Sequence, residues 1–393
     1  MPESIVLDVI LIVVLIGYIG YGLKFGLSRS VFVIIGTIAG IIAALLFTPV
    51  VTEWVSFPVA RPFVTIIVAL GLVVIGHAIG SAIGRAIRGG VAKSALSGFD
   101  RLLGGIVTGI VAALVASMVA FSVGQLGVPL LSRAIAGSAV LRTIHAITPA
   151  PVDAFIAQVR GALVEGSQPI ISDAFGGNPP VIPQIDTGSA ALNTAAESVV
   201  RITGNAYECG QAQSGSGFVV SDDRVITNAH VVAGVSEPVI EAPNGEALVG
   251  KVVYFDPIDD LAVIAVPELS APPLPRVATI PAGTDAAVQG YPLGGPFVSG
   301  GAHVESVGSS MIEDVYGDSS TLREVYTLAA DVRQGNSGGP LLTLDGKLAG
   351  VVFARSADTP TVGYAMTMAE VEHVAVAAPS LLDAVPSGVC IQH

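Results

Sequence analysis

The sequence predicts an N-terminal four-helix transmembrane domain followed by an all-β domain of the sandwich or barrel type. Three features point there. Four strongly apolar runs, at about 5–23, 31–51, 64–84 and 103–123, each approach the ~20 helical residues that cross ~30 Å of hydrocarbon. Charge is divided unequally, with a net +4 over residues 1–170 and −17 over residues 171–393. From about residue 197 the chain turns to short β-rich runs, punctuated by Gly, Pro and Asp roughly every ten residues, which is the rhythm of an all-β domain rather than of βαβ units. The charged fraction of 12% is thus an average over two unlike regions. It excludes one soluble domain, a disordered chain, a collagen and a coiled coil.

The first apolar run is interrupted only by Asp8, close enough to its start to sit among lipid headgroups. Glu3 and Asp8 replace the basic start that a cleaved signal peptide carries. Lys24 and Arg29 follow the first run, and Arg85, Arg88, Lys93 and Arg101 separate the third from the fourth. Glu53 and Arg61 cancel between the second and third. Basic loops stay cytoplasmic, so the N-terminus and the C-terminal domain are expected outside, with lipid around residues 5–123. Glycines recur four apart at Gly36 and Gly40, at Gly76, Gly80 and Gly84, and at Gly105 and Gly109. That spacing lets helix backbones approach closely in a membrane. His77 lies deep in the third run without a carboxylate partner, which reads as packing rather than function.

Residues 124–170 hold two amphipathic stretches, LLSRAIAGSAVLRTIHAI and PVDAFIAQVRGALVEG, separated by Pro149 and Pro151. Residues 171–195, with Asn178, Pro179, Pro180 and Pro183, read as an exposed linker in which self-cleavage would be accessible. The expected organisation is a four-span domain over 1–128, an amphipathic segment and linker over 129–195, and a β-rich domain over 196–393.

Three segments of the last region carry chemistry together: Thr227-Asn228-Ala229-His230, Asp260-Leu261-Ala262-Val263, and Gly335-Asn336-Ser337-Gly338-Gly339-Pro340. Their order, His, Asp, Ser, separated by 30 and 77 residues, is that of one class of catalytic triad. A serine needs a base to become a nucleophile, and His230 is the residue type that takes its proton and returns it to a leaving amine. A carboxylate orients the imidazole. Asp256 and Asp259 crowd the same strand end, but Asp260 directly precedes the apolar run and is favoured. The amides of Gly335 and Ser337 are candidates to hold an oxyanion, where one donor contributes ~3 kcal/mol.

TNAH, DLAV and GNSGGP resemble the motifs of trypsin-like serine proteases, nearest to the bacterial HtrA-type branch. GSGF at Gly215–Phe218 fits that branch as well. This likeness covers about 197–385, and the helical half is similar to the colicin V production protein family. The combination resembles actinobacterial membrane-anchored, acid-resistance periplasmic serine proteases over nearly the whole chain. The resemblance implies an all-β chymotrypsin-like double β-barrel, six strands in each barrel, with the site in their cleft. It implies His230 as base, Asp260 as its orienter, Ser337 as nucleophile, and Gly335 with Ser337 as oxyanion hole. The implied activity is that of an extracytoplasmic serine endopeptidase in acid and oxidative stress resistance and envelope protein processing.

The departures carry information too. HtrA-type proteins usually carry a peptide-binding PDZ domain, and with few residues after Asp383 none is expected here. Asn336 stands where digestive enzymes have an Asp that pairs with a newly formed N-terminus. Asp331 lies six residues before the serine, where the pattern places the acid at the base of the S1 pocket and would select Arg or Lys at P1. Arg333 could neutralise it, and a structural or neutralised Asp331 is the favoured alternative. The strand Ala349–Ala354 is expected to pair with extended substrate.

Two cysteines, Cys209 and Cys390, both lie in the half expected outside and argue for a disulfide, with intermolecular pairing and free thiols as alternatives. No metal or cofactor is expected. Acidity of the second half disfavours nucleic acid. The partners expected are extracytoplasmic proteins, such as cell-wall-processing ones, with a monomeric protease domain. The rival readings are a transport or secretion component with a regulatory outer domain, and a protease-like binding module without turnover.

Overall fold

The computed structural model describes residues 3–53, 61–91, 97–124, 129–149, 152, 169–171, 179–206, 211–389 and 391. The chain divides into two compact units, Asp8–Met118, and Val119–His393 with Met1–Leu7.

The first unit is built from α1 (Glu3–Phe25), α2 (Leu27–Glu53), α3 (Arg61–Val91) and α4 (Ser97–Gly124). Among the described residues, two stretches are long and apolar enough to cross a membrane: Ser4–Phe25, of mean hydropathy 2.4, and Ser97–Ala120, of 2.3. At ~1.5 Å per residue each spans ~30 Å or more. Their flanks expose Ile10, Val13, Ile16, Ile106 and Ile110, a surface that suits lipid and not water. The described apolar stretches of α2 and α3, Leu27–Gly40 and Gly71–Ile87, are shorter.

The glycine spacing has a clear packing consequence. A Cβ on Gly36 would stand 2.9 Å from the Gly80 Cα, and one on Gly76 would stand 2.9 Å from the Gly40 Cα. The stripes of α2 and α3 therefore face each other, backbone on backbone, as small residues permit. Gly105 and Gly109 of α4 instead face Leu23 and Ile19 of α1. At the α1–α2 turn, the Ser28 amide donates to Asp100 Oδ1 at 2.9 Å. Arg29 Nη2 and Arg85 Nη1 both donate to Ser81 Oγ, at 3.1 and 2.9 Å. The basic ends of the four helices thus gather at one end of this unit. Thr37 Oγ1 lies 3.3 Å from His77 Nδ1, so the imidazole has a hydroxyl neighbour.

In the second unit, α5 (Pro129–Ala136) and α6 (Ala139–Ile147) realise the first amphipathic stretch, α6 starting where the Ser138 hydroxyl accepts from the Leu141 amide at 3.1 Å. The second stretch, apart from Val152, lies outside the described residues. After β1 (Ile170–Ile171), α7 (Ala190–Ala196) is capped by Ser189 and buries Leu192 and Ala195. The end of the expected linker is therefore packed rather than exposed, because Leu192 and Ala195, three residues apart, share one helical face.

Two sheets follow. The first contains β2 (Val199–Ala206), β3 (Gln211–Ser221), β4 (Arg224–Thr227), β5 (Val239–Glu241), β6 (Ala247–Val249), β7 (Lys251–Asp256) and β8 (Leu261–Ala265), in the order β6-β5-β2-β3-β4-β8-β7. The second contains β9 (Asp285–Gly290), β10 (Val298–Glu313), β11 (Ser320–Ala330), β12 (Pro340–Thr343), β13 (Leu348–Ser356) and β14 (Val362–Thr367), in the order β1-β13-β12-β9-β10-β11-β14. β14 pairs with β11 on one edge and with β13 on the other. Register shifts at Val304/Ser306 and Val352/Ala354 mark bulges, which bend strands and tighten their twist. Each sheet thus curves around a cluster of its own: Ile202, Val219, Val225 and Ile264 in the first, Val304, Leu328, Leu341 and Val352 in the second.

A third cluster joins the sheets, with Phe218, Ile226, Leu261 and Val263 against Val351, Phe353 and Met366. Helix α9 (Met368–Ala377) closes it with Met368, Val371, Val374 and Ala375. Burying a side chain such as Leu261 contributes ~1.5–3 kcal/mol. The three motif segments leave or enter the ends of strands that build this shared core.

Candidate active site

His230 sits in a one-turn helix, α8 (Ala229–Val232), directly after β4, and is 2% exposed. Asp260 immediately precedes β8, which pairs with β4 in antiparallel register, so the two residues leave neighbouring strands at the same end. The Asp260 carboxylate accepts from His230 twice over. Its oxygens lie 2.8 and 3.0 Å from Nδ1, and Oδ1 accepts the His230 amide at 2.9 Å. Nδ1 therefore carries a proton, which leaves Nε2 as the ring's acceptor nitrogen; among the described residues Nε2 has no partner.

Asp260 adopts φ +50°, left-handed backbone that a non-glycine residue occupies at a cost of ~1–3 kcal/mol. The Asn228 amide holds it there, donating from Nδ2 to the Asp260 carbonyl at 2.9 Å. Asp256 serves the local backbone instead. Its carboxylate accepts the Ile258 and Asp259 amides at 2.9 and 3.1 Å and shapes the turn. Arg323 of β11 is almost fully buried and donates to the Glu313 carbonyl at 3.0 Å. Burial pushes its guanidinium pKa down, while the Asp260 and Asp259 carboxylates favour its charge.

Ser337 is also 2% exposed, and its Oγ donates to the Phe353 carbonyl at 3.4 Å, the outer limit of a hydrogen bond. The preceding turn is well determined. The Asn336 amide donates to the Arg333 carbonyl at 2.9 Å, and Gly335 has φ +90°, which makes a type II turn with glycine where the chain must bend left. A Cβ at Gly335 would also meet the Tyr291 carbonyl and the Leu293 amide. The Gln334 carbonyl accepts the Leu293 amide at 2.6 Å. In a trans peptide the N–H points opposite to the C=O, so this bond directs the Gly335 N–H to the other side of the turn. Among the described residues, neither the Gly335 nor the Ser337 amide donates to a protein acceptor.

Asp331 lies at the surface. Arg333 Nε donates to both its oxygens at 3.0 Å, and Nη2 stands 2.8 Å from Oδ2, with both side chains about half exposed. This pairing pushes the Arg333 pKa up. The strand Ala349–Ala354 is not a free edge throughout: β13 pairs with β12 from Leu348 to Val351 and with β14 from Gly350 to Arg355. Among the described residues its other edge has no partner strand at Phe353, and beyond it β1 pairs there, the Pro169 and Ile171 carbonyls accepting the Arg355 and Ala357 amides. Cys209 and Cys390 lie outside the described residues. Among the described residues, no group of three His, Cys, Asp or Glu side chains could hold a metal ion.

Sequence reasoning picked out Asn228 and Ser216 only as members of TNAH and GSGF, with no role for either. Their bonds to Asp260 and Gly335 span 32 and 119 residues, so only their place in those motifs pointed to them.

Residues 215–351 match the trypsin-like peptidase domain family, and residues 7–149 match the colicin V production protein family. Serine protease Rv3671c of Mycobacterium tuberculosis is 39% identical over 251 residues, covering 62% of this chain and 62% of that protein. The putative serine protease HhoB of Synechocystis is 35% identical over 165 residues, covering 41% of this chain and 39% of its own. The alignment with the mycobacterial relative thus spans less than two thirds of its length. The crystal structure of the active form of the Rv3671c protease superposes with a TM-score of 0.51 at 37% identity, covering 56% of this chain and all of that one. This membrane-anchored chain belongs to the Rv3671c-like group of trypsin-like, HtrA-like serine proteases, with a colicin V production-like domain preceding its peptidase domain.

Proposed function

We propose that the chain is a membrane-anchored serine endopeptidase that hydrolyses protein substrates outside the cytoplasmic membrane. The observation that carries this is the Asp260–His230 pair, aligned through both carboxylate oxygens at 2.8 and 3.0 Å. For catalysis the Ser337 Oγ exchanges its long bond to the Phe353 carbonyl for one to His230 Nε2, a change of side-chain rotamer. His230 takes the serine proton as Oγ attacks the scissile carbonyl, and then delivers it to the leaving amine. Asp260 holds the imidazole and stabilises its cation. The Gly335 and Ser337 amides receive the developing oxyanion. A fluorophosphonate should label the full-length chain in detergent but not its Ser337→Ala variant; an unlabelled, folded wild type would favour the binding-module reading.

In this reading all four helices of the N-terminal domain, 1–128, span the membrane, lipid surrounds residues 5–123, and the gathered basic ends face the cytoplasm. Residues 129–195 link to the protease domain, 196–393, on the extracytoplasmic side. Its two sheets form a double β-barrel, an idea supported by the pairing of β14 with both β11 and β13. Thiol accessibility of single cysteines placed in the two basic loops and in the protease domain tests this topology. Asp331, paired with Arg333, leaves the S1 pocket without a free acid, so P1 is not restricted to Arg or Lys. Cys209 and Cys390 form a disulfide, and full activity of the double Cys→Ser chain would argue against its importance. The substrates are extracytoplasmic proteins, among them cell-wall-processing ones, and self-cleavage falls within 171–195. The protease domain acts as a monomer, in acid and oxidative stress resistance, without nucleic acid.

A further inference from the structure

We infer that Ser216 is the positioning residue of the oxyanion hole, gripping the carbonyls of both residues whose amides would form it. The inference rests on the proteolytic reading and deepens it. Ser216 lies in the middle of β3 and is fully buried. Its hydroxyl donates to the Gly335 carbonyl at 2.6 Å and accepts the Tyr291 amide at 2.8 Å. Its amide donates to the Ser337 carbonyl at 2.8 Å, and its own carbonyl accepts the Thr227 hydroxyl at 2.7 Å. One serine thus uses every polar group it has to join the two segments of the site: Thr227, three residues before His230, and the turn that ends at Ser337.

The geometry makes this grip consequential. The turn from Arg333 to Asn336 has two peptide planes around Gly335. The Leu293 amide holds the first through the Gln334 carbonyl, and Ser216 Oγ holds the second through the Gly335 carbonyl. With both planes fixed, the Gly335 N–H is oriented before substrate arrives, and a donor set in advance needs no reorganisation during reaction. The Ser337 N–H lies in the next plane, whose Asn336 carbonyl accepts the Gly339 amide at 2.8 Å, and Ser216 flanks it by holding the Ser337 carbonyl. A second contact braces the same loop. Arg201, directly opposite Ser216 in the β2–β3 register, donates from Nη1 to the Gly294 carbonyl at 2.8 Å, next to Leu293, and its guanidinium is paired with Glu241. The first sheet therefore sets the donor geometry of a turn that belongs to the second.

Ser216→Ala removes the hydroxyl without adding volume. It leaves the Gly335 carbonyl without that donor and the Tyr291 amide without an acceptor. Outright loss of an oxyanion donor lowers kcat ~10²–10³-fold, and misalignment of one should cost less. The expected result in the full chain, per fluorophosphonate-titrated site, is a ~10–100-fold fall in kcat with KM within about twofold. Affinity for a peptide boronate, whose tetrahedral adduct places an oxygen in the hole, should fall by the same factor as kcat. Ser216→Thr, which keeps the hydroxyl at the cost of one added methyl, should retain more kcat than the alanine chain and serves if that chain does not fold. An unchanged kcat overturns the inference, as does a kcat loss that leaves boronate affinity intact. A wild-type chain that neither labels nor cleaves overturns the proteolytic reading itself, and this inference with it.

Discussion

Asn228→Ala tests how the triad is held together. Asn228 is fully buried, and its Nδ2 donates to the carbonyl of Asp260 at 2.9 Å. Asp260 is the residue at φ +50° whose carboxylate holds His230. Removing the amide leaves a buried carbonyl unsatisfied, which costs ~1–3 kcal/mol. The substitution also removes Asn228 Oδ1, a buried acceptor without a partner among the described residues, so the net loss should fall at about 1–2 kcal/mol. For a domain of 150–250 residues this lowers Tm by ~2–8 °C. Without its anchor, Asp260 relaxes from left-handed backbone, and the contacts to Nδ1 lengthen. A loss of ~1.4–2.7 kcal/mol of transition-state stabilisation then lowers kcat ~10–100-fold. The assay pairs a thermal melt with peptide hydrolysis by the full chain. A variant that melts earlier but keeps kcat within twofold would refute the link between Asn228 and the triad.

Three further outcomes follow from separate parts of the molecule. Gly76→Leu should force α2 and α3 apart and cost ~1–3 kcal/mol, as overpacking does, whereas Gly71→Leu, where a Cβ meets nothing within 4 Å, should not; equal melts in detergent would contradict the close helix approach. Arg333→Ala should change stability by less than ~1 kcal/mol, since the Asp331 pair is half exposed. It should also create no preference for Lys or Arg at P1, and a profile shifted to basic residues would return Asp331 to the S1 pocket. Asp314 binds the Tyr316 and Asp318 amides and the Ser319 hydroxyl; what burial there is raises its pKa, but these bonds outweigh it and hold the carboxyl below its ordinary value. Its contribution is therefore present at neutral pH and lost as pH falls through that lowered pKa. Amide protection of Tyr316 and Asp318 should drop only in acid, and Asp314→Asn should remove the pH dependence.

Much of the candidate site was legible in the sequence because its chemistry lies in short contiguous segments. TNAH, DLAV and GNSGGP name the residue types without any tertiary knowledge, and the structure brings His230 and Asp260 into contact. The glycine spacing of α2 and α3 was legible for the same reason, since an i, i+4 repeat is a local property of a helix. What stayed hidden depends on distant pairing. Ser216 acts on Gly335 across 119 residues. The left-handed backbone of Asp260 has no compositional sign, and the seating of Pro169–Ile171 beside β13 pairs a linker with a strand far along the chain. The packed helix Ala190–Ala196 inside the expected linker shows the limit of composition, because burial of Leu192 is set by the core it meets.

The most direct measurement of the central claim is covalent titration of Ser337 in the full-length chain, with peptide hydrolysis followed on the same sample. The account predicts one fluorophosphonate equivalent per folded chain, attached at Ser337, with hydrolysis lost in proportion to labelling and both absent in Ser337→Ala. A folded wild type that takes up no label, or that cleaves peptide as fast with Ser337 replaced, would contradict it.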